Sequence, residues 1–188
     1  MQNYPKLINF NTGIDNDMIK NIISTINKQS SEMEEALVGN EDPIVNKKIR
    51  NCKSASISRT HWINGLLDYY VRSVNDDVYN YDLVNWYNEL QFLHYEGKGA
   101  GYTWHCDNGV EENEIGVRKI TVILGLSDPD DYEGGNLQLL DESGKSYFAP
   151  RAKGAMILFD SRTSHRVCKV KKGIRKSIVG WVVGPRWK

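Results

Sequence analysis

Apolar positions along this chain follow two rhythms, and the change falls near residue 88. Before it, Met18, Ile19, Ile22, Ile23 and Ile26 recur at helical spacing behind Asp15, a candidate N-cap. A second stripe, Trp62, Leu66, Leu67, Tyr70, Val71 and Val74, follows Thr60. Both predict amphipathic helices with their apolar faces on a core. Between them, residues 49–58 read as a strand. After residue 88 come short apolar runs: ELQFLHY, GYTWHCD, RKITVILGLS, NLQLL, SYFAP, AMILFD, SHRVCKV and RKSIVGWVV. Turn signals separate them, among them Gly134-Gly135, Ser143-Gly144 and Lys153-Gly154. Many short strands at close spacing predict a sandwich or barrel, of which the double-sheet jelly roll is one solution. The expected fold is α+β but mainly β, with N-terminal helices packed on one sheet. A single domain is expected over 1–188, with 1–88 as helical and strand support and 89–188 as the jelly-roll (double-stranded β-helix) core.

Composition narrows the functional classes. Lysine plus arginine and aspartate plus glutamate both number 24, so no global field draws nucleic acid or a membrane surface. No apolar run approaches the ~20 residues that a membrane span needs. The start, MQNYPKLINF, lacks the apolar stretch of a signal peptide. Cys52, Cys106 and Cys168 are widely spaced with no CxxC pair, which predicts reduced thiols, a cytoplasmic protein and no structural zinc.

The chemistry concentrates in the second half. If Trp104-His105-Cys106-Asp107 is strand, His105 and Asp107 share one face. Cys106 then points the other way, packed as a small hydrophobe. An imidazole and a carboxylate on one face, joined by a distant third ligand, make a two-His-one-carboxylate facial triad for non-haem iron. Of the four histidines, His165 follows the run AMILFDS, while His61, beside Trp62 on the second helix, and His94, opposite Tyr95, read as structural. On the last run Arg175, Ser177, Val179 and Trp181 share a face. A buried arginine there needs an anion, and a dicarboxylic oxoacid supplies one, with Ser177 as an added donor. Taken singly, each feature has an ordinary reading: a surface polar pair, a rim histidine, a surface charge beside Lys171, Lys172 and Lys176. No Ser-His-Asp arrangement or phosphate loop stands out, so hydrolysis and phosphoryl transfer lack candidates.

Together the motifs resemble a family. YEGKGAGYTWHCD, residues 95–107, resembles the Tyr-Gly-Tyr-His-x-Asp signature of prolyl-hydroxylase-like Fe(II)/2-oxoglutarate-dependent oxygenases, and the later runs follow in the family's order. The resemblance covers residues 90–184; the N-terminal half matches loosely. It implies Fe(II) on His105, Asp107 and His165, and 2-oxoglutarate with its C5 carboxylate on Arg175. It places Tyr95 and Ser177 beside the oxoacid, Trp181 in the pocket near the iron, and Arg118 and Tyr102 on the substrate side. Leu124 and Gly125 stand where some prolyl hydroxylases carry a further oxoacid-binding tyrosine, which shifts the clamp towards Tyr95, Ser177 or Thr121. The implied reaction is hydroxylation of a C–H bond with O2, giving succinate and CO2, with ascorbate (vitamin C) as a candidate reductant. A peptidyl residue, proline first, is the expected substrate, and a protein or peptide the expected partner. Nucleic acid is disfavoured: Arg162, Arg166, Lys169, Lys171 and Lys172 read as a solvated strand edge, and the second arginine of related demethylases is replaced by Trp181. A small metabolite substrate, and a non-enzymatic jelly-roll binding module, are the alternatives. Loops 109–116 and 128–135 are expected to frame the entrance as mobile lids.

Overall fold

The computed structural model describes residues 7–29, 33–39, 43–108 and 116–187. Its first half runs β1 (Ile8–Asn11), α1 (Asn16–Gln29), β2 (Glu34–Glu35), β3 (Leu37–Val38), β4 (Ile44–Val45), β5 (Arg50–Asn51), β6 (Lys53–Ile57), α2 (Trp62–Val74) and a π-helical turn (Asn75–Tyr79). There follow β7 (Asn85–Trp86), β8 (Leu90–Glu96), β9 (Gly101–His105), β10 (Val117–Gly125), a 3-10 turn (Pro129–Asp131) and β11 (Tyr132–Gly134). The chain ends with β12 (Leu137–Leu140), β13 (Ser146–Phe148), β14 (Ala155–Asp160), β15 (His165–Val167) and β16 (Val170–Gly184). The fold is thus mainly β, and every strand pairing among the described residues is antiparallel. The larger sheet has the order β1-β14-β10-β16-β8-β6-β2, with β7 and β11 also on β16; the smaller is β13-β12-β15-β9-β5. Strands β3 and β4 form a separate ribbon.

Side-chain alternation on the larger sheet's central strands divides the core in two. Ile120, Val122 and Leu124 of β10, Met156 and Leu158 of β14, and Ile178 and Val182 of β16 face the helices. There they meet Ile19, Ile22 and Ile26 of α1 and Ile63, Leu67 and Val71 of α2. The alternate positions Ile123, Ile157, Phe159 and Val179 face the smaller sheet, against Leu137, Leu139 and Val167. The helices therefore brace the back of the sheet whose front carries the polar groups of the site.

The helix expectations hold with shifts of detail. Asp15 caps α1, its Oδ1 accepting from the Met18 N–H at 2.7 Å. At α2 the cap is His61, whose Nδ1 accepts from the Ile63 N–H at 3.3 Å, so His61 precedes the helix rather than lying on it. Met18 and Trp62 are 43% and 44% exposed, so both stripes centre one position further round the helix, on Ile19 and Ile63. The single strand expected over 49–58 is two: β5 joins the smaller sheet and β6 the larger, with buried Cys52 at the corner. No glycine or proline marks that corner, so alternation alone reads straight through it. Conversely, β16 runs on through the Lys-Lys-Gly that looked like a break. Gly173 takes φ +77°, and a Cβ there would sit 2.0 Å from the Asp131 carbonyl oxygen, so only glycine passes.

The helix-side core makes a direct prediction. Leu67 is fully buried; Leu67→Ala should cost about 2–5 kcal/mol in urea unfolding, from lost transfer energy plus the cavity left. Divalent-metal affinity should not change, because the larger sheet separates Leu67 from the site. A cost below about 1 kcal/mol would contradict the packing described.

Candidate metal and oxoacid site

Strands β9 and β15 pair so that His105 and His165 are Cα partners, and their ring centroids lie 4.2 Å apart. Asp107 reaches the same place from a bend just past β9. The bend forms because the N–H groups of Asp107 and Asn108 both donate to the Ser161 carbonyl, at 2.9 and 3.0 Å. One ligand atom from each of His105, Asp107 and His165 lies within 4.8 Å of the other two. Nε2 of His105 is 3.6 Å from Asp107 Oδ1, and Nε2 of His165 is 3.4 Å from Asp107 Oδ2.

The tautomers follow from the partners. Nδ1 of His105 meets the Thr103 carbonyl at 2.7 Å, and Nδ1 of His165 meets the Thr163 carbonyl at 2.9 Å. A carbonyl oxygen only accepts, so each Nδ1 carries a proton, and each Nε2, on the Asp107 side, is the nitrogen placed to ligate a metal. Burial, aided by His165, pushes the His105 imidazole down to about 4 against the pull of Asp107. For Asp107, burial alone would raise the carboxyl. His165, His105, Trp181 and the Thr121 hydroxyl together outweigh it and hold the group below the ordinary carboxylate range. Neutral imidazoles and an ionised carboxylate are the forms that ligate a metal. Two nitrogens and one oxygen, convergent, with Asp107 and His165 buried and His105 half-buried, fit the donor set of a non-haem Fe(II) site.

The other half of the site is cationic. Arg175 is 8% exposed on β16, its Nη1 donating to Ser177 Oγ at 3.2 Å and its guanidinium 5.3 Å from the ring centre of buried Tyr95. Among the described residues no carboxylate lies within ion-pair distance of it. An unpaired buried charge is costly, so this arrangement suits a ligand that brings the anion. Arg175, Ser177, Trp181 and the His-Asp-His group all line one cavity of about 610 Å³. Tyr102 stacks on His105 at 3.6 Å. Arg118 donates to the Asp107 carbonyl at 3.2 Å and lies over Tyr87 and Trp181, at 3.9 and 4.7 Å.

All nine residues singled out from sequence thus border one cavity, and three secondary expectations change. Thr121 does not join the oxoacid clamp; its hydroxyl donates to Asp107 Oδ2 at 2.8 Å and lies 3.1 Å from Ser161 Oγ. Cys106 is exposed rather than packed, because the ladder stops at His105. Segment 128–135 is no free lid: β11 pairs with β16, and Arg151 Nη2 donates to the Pro129 and Tyr132 carbonyls at 3.0 and 2.8 Å. Most of loop 109–116 falls outside the described residues. Histidines 61 and 94 are structural, the latter 3.1 Å from Glu96 at the sheet margin.

The sequence reading missed Arg50. It is 8% exposed, lines the cavity, and donates to the Leu37 carbonyl at 3.1 Å and to Gln91 Oε1 at 2.9 Å. Its signal was the alternation that pairs it with Cys52, masked by the neighbouring Lys47 and Lys48.

Comparison with known proteins agrees with this geometry. The profile of the 2OG-Fe(II) oxygenase superfamily matches residues 90–183, and the chain belongs to that superfamily. A PKHD-type hydroxylase of Synechococcus sp. (strain CC9311) is 36% identical over 85 residues, 45% of this chain and 37% of that protein. One from Caulobacter sp. (strain K31) is 34% identical over 90 residues, 46% of this chain and 39% of the relative. The matches thus span under two fifths of these relatives' length. Among solved structures, a Pseudomonas putida prolyl-4-hydroxylase superposes with TM-score 0.71 at 18% identity, over 95% of this chain and 92% of that one. A Trichoplax adhaerens prolyl hydroxylase, in complex with a peptide fragment of the hypoxia inducible factor oxygen degradation domain, gives TM-score 0.76 at 21% identity, over 97% and 84%. These likenesses show the fold.

Two substitutions separate ligand from neighbour. Asp107→Ala should abolish tight divalent-metal binding in equilibrium titration with Co(II). Cys106→Ser should leave it intact and change stability by no more than ~0.5 kcal/mol, as for other exposed positions. Full metal affinity in Asp107→Ala would remove that residue from the ligand set.

Proposed function

We propose that this chain is an Fe(II)- and 2-oxoglutarate-dependent dioxygenase with a jelly-roll core, hydroxylating a C–H bond of a peptidyl residue, proline first. One observation carries the reading. A cavity joins a His-Asp-His group, with both Nε2 atoms facing Asp107, to a buried arginine that has no acidic partner among the described residues.

His105, Asp107 and His165 would hold the iron. Arg175 would take the far carboxylate of 2-oxoglutarate, with Ser177 as its neighbour and Tyr95 packed beneath the guanidinium. Bound there with 2-oxoglutarate and O2, iron supplies oxidation of substrate C–H to C–OH, with the oxoacid leaving as succinate and CO2. Tyr102 and Trp181 wall the site against water, which strengthens both charged contacts. Arg118 and Tyr87 stand on the remaining side, where substrate would enter. Ascorbate is the reductant to test.

The peptide reading draws on the peptide complex of the Trichoplax neighbour. A nucleic-acid substrate is not favoured, because much of the basic run around His165 is engaged within the protein. Arg162 pairs with Asp160, Arg166 donates to Gln138, and Lys171 pairs with Glu133. No helix among the described residues is long and apolar enough to cross a membrane, and Cys52, Cys106 and Cys168 are free thiols. A reducing, cytoplasmic setting accords with that.

Iron plus 2-oxoglutarate should yield slow succinate release without substrate, and a peptide library should reveal a species one oxygen heavier. Absence of any iron-dependent succinate would count against the reading. In anaerobic titrations of Fe(II)-loaded protein, Arg175→Ala should weaken 2-oxoglutarate by about 3–5 kcal/mol, as when a buried ion pair loses one partner. Arg175→Lys should fall between, keeping charge but losing the fork. Equal affinities for wild type and Arg175→Ala would move the anchor elsewhere.

A further inference from the structure

We infer that Asp160, which is no ligand, is the positioning residue of the metal site: with Arg162 and Tyr81 it fixes the 160–163 turn from which both Asp107 and His165 are held. The inference rests on the proposed metal role of His105, Asp107 and His165.

The turn serves the site through three groups. The Ser161 carbonyl accepts from both Asp107 and Asn108 N–H groups, and so makes the bend that brings Asp107 inward. Ser161 Oγ lies 3.1 Å from the Thr121 hydroxyl that donates to Asp107 Oδ2. The Thr163 carbonyl takes the Nδ1 proton of His165 and thereby fixes its tautomer. Two of the three ligands are thus oriented from four consecutive residues.

Asp160 decides the shape of those four residues. Its side chain is wholly buried. Oδ1 accepts from the Arg162 backbone N–H at 2.8 Å and from Arg162 Nε at 2.9 Å, while Oδ2 accepts from Arg162 Nη2 at 2.6 Å and the Tyr81 hydroxyl at 2.5 Å. The Asp160 carbonyl accepts from Thr163 N–H at 2.8 Å, closing the turn. From outside, Trp187 packs against Arg162 at 3.5 Å and Lys119 at 3.3 Å, with Tyr81 edge-on at 4.9 Å. A buried ion pair adds little net stability over an apolar replacement, so the part inferred for this one is to hold the shape of the turn. A carboxylate joined to the backbone and side chain of the residue two positions on can be satisfied in few turn shapes. Partners that orient metal ligands from outside the coordination sphere typically change metal affinity 10–100-fold when removed.

The test is Co(II) titration of the full chain, followed by the visible absorption of the bound ion, for Asp160→Asn, Arg162→Lys and Tyr81→Phe. The control is Leu67→Ala, which opens a cavity in the helix-side core, behind the larger sheet and away from the turn. Asp160→Asn should bind Co(II) about 10–100-fold more weakly, with a shifted band position, and Arg162→Lys and Tyr81→Phe less so. Leu67→Ala should lower Tm yet keep wild-type affinity and spectrum. Should Asp160→Asn fail to fold, the two milder variants decide the matter. Wild-type Co(II) affinity and spectrum in the folded turn variants would overturn the inference, and so would an equal loss in Leu67→Ala, which would mean general softening. If Asp107→Ala binds Co(II) as well as wild type does, the metal reading itself has failed, a result distinct from either.

Discussion

A carboxylate buried between two imidazoles is the constraint on which the rest of this structure depends. Asp107 is 6% exposed and His165 4%, so water solvates little of the charge. Left to itself the group would take up a proton. The pull of His165 and His105 and the hydroxyl donated by Thr121 offset this, and both imidazoles have their outward nitrogens committed to backbone carbonyls. Each of those carbonyls belongs to the residue two before its histidine, one at Thr103 in β9 and one at Thr163 before β15. The antiparallel register of β9 and β15 sets the two rings side by side, and the helix-side core holds the larger sheet rigid behind them.

The same cavity carries the opposite sign at its other end. Arg175 has a hydroxyl and an aromatic face for company but no carboxylate among the described residues. Uncompensated charge costs folding energy, and the cost makes sense where a ligand cancels it on arrival. The front of the sheet is therefore built for binding and the back for stability. The residues divide accordingly along β16, with Arg175, Ser177 and Trp181 on one face and Ile178 and Val182 on the other.

The strand half of the fold was legible because alternation and glycine turns are local signals. The candidate site was legible because His105, Asp107, His165 and Arg175 stand in a recognisable order. What escaped depended on contacts distant in sequence. The corner at Cys52 carries no breaker residue, so nothing local says that β5 and β6 enter different sheets. Arg50 looked like one more cation after Lys47 and Lys48, and only its pairing with Tyr102 across β5 and β9 buries it. Thr121 faces the cavity side of β10, and the sequence could not say that its hydroxyl would meet Asp107 before any ligand. Cys106 was misplaced because the strand ends at His105, two residues earlier than alternation suggested, at a bend set by Ser161 from far along the chain.

The most direct measurement is a crystal structure grown without oxygen in the presence of Mn(II) and 2-oxoglutarate. The account predicts metal density touching Nε2 of His105, Nε2 of His165 and the Asp107 carboxylate, with the far carboxylate of the oxoacid on the Arg175 guanidinium. Metal bound elsewhere, or an oxoacid whose far carboxylate turns away from Arg175, would contradict it.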